Sequence, residues 1–116
     1  MIQVNPMPKK IFALVLLGLF ALLLPAQPTH AAALTVNAAT PYVAADGACS
    51  LIEAIDNAND DAATHADCPA GAGTDVITLT ADVVLDGTAV FTLNGATGLP
   101  PITSNITIEG DGFSIQ

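Results

Sequence analysis

After Gly73 the chain abandons any helical period, and that change restricts the fold more than any other feature of the sequence. "DVITLT" (75–80), "VVLDG" (83–87), "AVFTLNG" (89–95), "ITSNITIEGDG" (102–112) and "FSIQ" (113–116) are short runs rich in Val, Ile, Thr and Phe. Asp-Gly, Asn-Gly and Gly-Asp-Gly turns separate them. Ile77 and Leu79, Phe91 and Leu93, Ile106 and Ile108, and Phe113 and Ile115 each alternate with small or polar residues, as a strand with one buried face does. Several short strands at this spacing predict an all-β sandwich, a barrel or a solenoid. The sequence stops at Gln116 directly after an apolar run, which leaves a strand edge without a cover. A solenoid accounts for this best, because each coil buries its face on the next and about three are needed for stability. The expectation is an amino-terminal piece of something longer.

Ahead of the strands stands one helix signal. In "CSLIEAIDNAND", Cys49 to Asp60, Ser50 and Glu53 have the S-x-x-E spacing of a capping box. The Ser50 hydroxyl accepts from the N–H three residues on, and the Glu53 carboxylate reaches back. Leu51, Ile52, Ala54, Ile55 and Ala58 form an apolar stripe at helical spacing, which predicts that Glu53, Asp56 and Asn57 lie on a solvated side. "LTVNAA" before the helix reads as a short extended segment with Leu34 and Val36 on one face. "TPYVAADGA" and "NANDDAATHADCPAGAG" carry the Asp, Asn, Pro and Gly of loops.

The first 33 residues are a different kind of segment. Lys9 and Lys10 precede fourteen residues without a polar side chain, Ile11 to Leu24, and Pro25 and "QPTHAAA" follow. Basic, apolar and small-residue regions in that order predict a secretory signal peptide over 1–33, cleaved after Ala31 or Ala33. The apolar run falls short of the ~20 residues a membrane-spanning helix needs. Either Met1 or Met7 serves as the start. Both basic residues fall in this leader, so residues 34–116 set eleven carboxylates against no lysine or arginine, a formal charge of −11 with His65 neutral. Such a chain repels phosphate backbones and anionic lipid, and no nucleic-acid partner is expected. Its aromatic residues are only Tyr42, Phe91 and Phe113, a thin supply for a compact core.

Two cysteines in an exported chain most simply form one disulfide. A Cys49–Cys68 bridge closes a loop of about 20 residues, worth roughly 3 kcal/mol by chain entropy. Free thiols and a metal pair are the alternatives. A zinc site needs further ligands, however, and His65 is the one histidine after residue 33. No cofactor is expected. Calcium is the one cation that "DNANDD" and "EGDG" bring to mind, but the first lacks the glycine and closing glutamate of an EF-hand, and the second is a single copy that suits a tight turn. Asn105-Ile106-Thr107 matches a glycosylation sequon within a predicted strand and reads as chance. Ser50, Ser104 and Ser114 with one histidine make no nucleophile motif. Glu53 and Asp56, one turn apart, suit a solvated face better than a pair straddling a sugar.

"CSLIEAIDNAND", a later cysteine ahead of a Gly-rich segment, "DVITL" and "LPPITSNITIEGDG" together resemble the CSLREA domain. That region follows the signal peptide in many large secreted bacterial proteins that continue as right-handed parallel β-helices. The resemblance spans residues 34–116, with one departure: Ile52 stands where the family motif usually has arginine, which removes any ion pair at that position. It implies an extracellular or cell-surface β-helix, commonly adhesin-like, with no catalytic residue in this region. The expected fold is all-β. Residues 34–73 form an amino-terminal cap, a short amphipathic helix plus strands tethered by the disulfide, and residues 74–116 form the first coils of a right-handed parallel β-helix. The helix is expected to lie across the solenoid end as a lid, with Leu51 and Ile55 inward. The expected role is structural rather than enzymatic, with downstream coils as partner and an extracellular carbohydrate or protein as ligand. The rival is the front of a carbohydrate-active β-helix enzyme, a polysaccharide lyase or hydrolase with its active site downstream. A complete disulfide-stapled secreted domain is the third reading.

Overall fold

The computed structural model describes residues 2–3, 30–87, 91–92 and 95–116. Lys9 to Leu24, the basic and apolar parts of the expected signal peptide, lie outside the described residues, as does Leu93. Among the described residues three strands, β1 (Ala33–Val36), β2 (Thr74–Leu79) and β3 (Asn105–Glu109), form one sheet, and one helix, α1 (Leu51–Asp60), lies between β1 and β2 in sequence. The strands are adjacent in chain order and parallel throughout. Leu34 pairs with Ile77 and Ile77 with Ile108, while Val36 pairs with Leu79, so the apolar residues line up in rows on one face. Thr35, Thr78 and Glu109 occupy one row of the opposite face. The alternation seen in the sequence is therefore the sheet's inside and outside.

The passes remain stacked beyond the ladder. After β1 and β2, Val84 donates to Ala39 O at 3.2 Å. After β2 and β3, Val83 and Ile115 form a parallel bridge, with Val83 N bonded to Ser114 O and Gln116 N to Val83 O, both at 2.9 Å. The bend that allows this follows β3: Phe113 N donates to Gly110 O at 2.7 Å. Asp111 (φ 47°) and Gly112 (φ 93°) are both left-handed, as the two central residues of a type I′ turn must be. Asp82 Oδ1 accepts from Ser114 N (2.8 Å) and Oγ (3.0 Å), fixing the second stacking point from the side.

Among the described residues, strand content is lower than the sequence suggests. "VVLDG" and "FSIQ" meet in one bridge rather than extended ladders, and Phe91 forms an isolated antiparallel bridge with Thr97. Gly87, Gly95 and Gly112 all take positive φ, which marks turns at these positions.

Helix α1 begins where the capping box predicts. Ser50 is extended (φ −84°, ψ 164°), its hydroxyl accepts from Glu53 N, and α1 ends at Asp61, which is left-handed with its N–H on Asn57 O. The placement of the helix departs from a lid. Its start lies by the end of β1, where Asn37 N and Ala38 N donate to Cys49 O. Its end lies by the start of β3, where Ser104 Oγ donates to Ala58 O at 3.0 Å and Asn59 bonds Pro101 O (2.9 Å) and Thr103 N (2.8 Å). The helix thus runs diagonally over the sheet face instead of across its end. The physical reason is the apolar rows: Leu51, Ala54, Ile55 and Ala58 pack with Leu34, Val36, Ile77, Leu79 and Val83 in one core. Each fully buried Leu or Ile there contributes about 1.5–3 kcal/mol. Ile52, at the position of the missing arginine, is also buried.

Candidate functional site

The densest set of polar contacts surrounds α1, and it corrects the expectation of a solvated helix side. Glu53 (2 % exposed) and Asn57 (0 %) are buried; of the three residues assigned to water only Asp56 is partly exposed. The loops on either side of the helix fold over this face. Built largely from Ala, Gly and Pro, they have few side chains to satisfy their own backbone, so the helix supplies the partners.

Glu53 spends both oxygens in this way. Oε2 accepts from Ser50 N at 2.9 Å, completing the capping box, and Oε1 accepts from Ala44 N at 3.0 Å in the preceding loop. Asn57 does the same for the following loop. Its Nδ2 donates to His65 O (2.9 Å) and Pro69 O (3.0 Å), and its Oδ1 accepts from His65 N at 2.7 Å. Asp67 Oδ2 joins the two loops by accepting from Asp46 N (2.9 Å) and Gly47 N (3.0 Å). Cys49 and Cys68 are joined in a disulfide with Cα atoms 4.8 Å apart, both sulfurs in the core. Gly71 seats the returning chain against the helix, where a Cβ would meet Asn57 O and Ala58 Cα (2.6 Å).

The structure brings Cys49, Cys68, Ser50 and Glu53 together as one anchoring unit. His65 lies beside it, with Nε2 3.1 Å from Asp56 Oδ2. Between residues 43–45 and 64–67, with Glu53 at its edge, is a shallow cavity of about 160 Å³. The carboxylates of "DNANDD" diverge: Asp60 accepts from Thr64 Oγ1 (2.6 Å) and Asp61 from Gly73 N (2.7 Å). Among the described residues no three His, Cys, Asp or Glu side chains converge as metal ligands. Ser50, Ser104 and Ser114 are all engaged in hydrogen bonds, and Asn105 is exposed at the start of β3.

One residue escaped notice in the sequence. Asp75 is completely buried on the inward row of β2 with Ile77 and Leu79. Its Oδ1 accepts from Ala32 N (3.2 Å) and Ala72 N (2.9 Å), whereas its buried Oδ2 has no partner among the described residues. The signal was present: 75, 77 and 79 share one face of a strand by period two.

Comparison with protein-family models, with curated proteins and with solved structures gives no match.

Proposed function

We propose that residues 34–116 are the amino-terminal cap and first coils of an exported right-handed parallel β-helix, acting as a structural, adhesin-like scaffold. The observation that carries this reading is the double stacking of successive passes. The sheet has strand order β1-β2-β3 in parallel register, and the chain beyond each strand stacks again at Ala39–Val84 and Val83–Ile115. A coil that repeats both a strand and the bend after it is the unit of a solenoid. The polar side chains also favour a scaffold: Glu53, Asn57, Asp67 and Asp82 each accept from or donate to backbone groups of neighbouring segments.

The apolar row continues onto β3 and the segment after it without a cover: Ile108, Phe113 and Ile115 are 39 %, 42 % and 38 % exposed. A further coil stacked on β3 would bury them, and that is the partner proposed here. The test compares residues 34–116 alone with the same residues followed by additional β-helix coils. The extended protein should be monomeric and melt cooperatively, with the shorter one aggregated, oligomeric or partly unfolded. A monomeric, sharply melting 34–116 with dispersed amide signals overturns the reading in favour of a self-contained stapled domain.

A further inference from the structure

We infer that the mature amino terminus is the α-ammonium of Ala32 and that the buried Asp75 carboxylate is its partner; this rests on the export reading above. Asp75 is 0 % exposed, and a carboxylate in such a place needs a cation or a full set of donors. Two N–H groups share Oδ1, while Oδ2 has none among the described residues. No side chain can supply the cation, because the sequence has no lysine or arginine after Lys10. His65 is held by Asp56, and His30 is exposed ahead of β1.

The missing charge can come from the chain itself. Hydrolysis of the Ala31–Ala32 bond consumes one water. It leaves a carboxylate on Ala31 and an amine on Ala32, which takes up a proton. The Ala32 nitrogen already lies 3.2 Å from Asp75 Oδ1, and Ala32 O accepts from Val76 N at 2.9 Å, so the ladder holds the residue in place. Cleavage changes one N–H into three donors and a positive charge, enough to serve both carboxylate oxygens. Ala31 is exposed and Ala32 half-buried, so the scissile bond sits where the chain enters the fold. Cleavage after Ala33 has the opposite effect. It deletes Ala32 and the first residue of β1 and leaves Asp75 with the Ala72 N–H alone. The new ammonium then falls on Leu34, whose ladder neighbour is Ile77.

The chain offers a direct readout, since residues 32–116 contain no lysine and the α-amine of Ala32 would be their only amine. The full-length exported protein is sequenced from its amino terminus and treated with an amine-acylating reagent, folded and in denaturant with reductant. Labelling at residue 32 is followed by peptide mass. Ala32 should be the first residue. Acylation in the folded protein should be slower by about tenfold or more, the effect of one unit in the amine's ionisation. Asp75→Asn should abolish that protection while the disulfide persists; if it does not fold, the folded-against-unfolded comparison of the parent protein decides alone. A mature chain beginning at Leu34 overturns the inference. So does an Ala32 amine that reacts equally fast in both states. An unprocessed chain that still carries reactive Lys9 and Lys10 refutes the export reading first, and the pairing with it.

Discussion

Replacing Asn57 with alanine tests the anchoring unit at its centre. The side chain is fully buried and makes three hydrogen bonds of 3.0 Å or less, to His65 N, His65 O and Pro69 O. Each contributes about 1 kcal/mol net, so Asn57→Ala should cost about 3 kcal/mol, and loop groups left unpaired and out of water raise that figure rather than lower it. With a urea slope of about 1.5 kcal/mol/M, the unfolding midpoint should fall by about 2 M. Asn57→Asp keeps the acceptor for His65 N but turns a carboxylate toward the two carbonyls, so its loss should be at least as large. Asp56→Asn is the control: it touches only the half-buried contact with His65 and should cost under about 1 kcal/mol. The assay is urea unfolding of the exported protein followed by circular dichroism, with limited proteolysis of residues 62–70 as a local readout. An Asn57→Ala midpoint within about 0.3 M of the parent would refute the view that this amide holds the loop.

Two further variants probe the same unit. Converting Cys49 and Cys68 together to serine should lower stability by about 3 kcal/mol through the freed loop, measured by the same unfolding curves, and non-reducing peptide mapping of the parent should find the two cysteines in one linked species. Gly71→Ala places a methyl against the backbone of Asn57 and Ala58, where no side-chain rotation can relieve it, and should cost about 1–3 kcal/mol, read as a lower melting temperature.

Much of this architecture was legible residue by residue. The capping box at Ser50 and Glu53, the inward pairs Leu34/Val36 and Ile77/Leu79, and the tight turn at 110–113 depend on near neighbours in sequence, and local chemistry determines them. The burial of Glu53 and Asn57 does not. Both are polar and four residues apart, which reads as a wet stripe until the flanking loops are seen to need donors and acceptors. The diagonal course of α1 is also a tertiary matter, since an apolar stripe says what is buried but not against which surface. Asp75 was missed for a third reason. In "DVITL" the carboxylate occupies a core position by period, and one of its two partners, Ala32, is 43 residues away.

The disulfide-bounded segment has a kinetic consequence as well. Cys49 and Cys68 are separated by 19 residues, and Asn57 lies 8 from His65 and 12 from Pro69, so the disulfide and the Asn57 ties are short-range. The partners of the β1–β2 ladder are 43 residues apart in the chain, as Leu34 and Ile77 are, and closing that larger loop costs about 0.7 kcal/mol more than closing the smaller one. A ribosome releases the chain amino terminus first, so residues 49–73 can settle while the sequence for β3 is still being made. The segment then meets each later strand as a finished template. In the solenoid proposed above, later coils would add at the β3 edge, and a slow or faulty later coil would leave this segment in place.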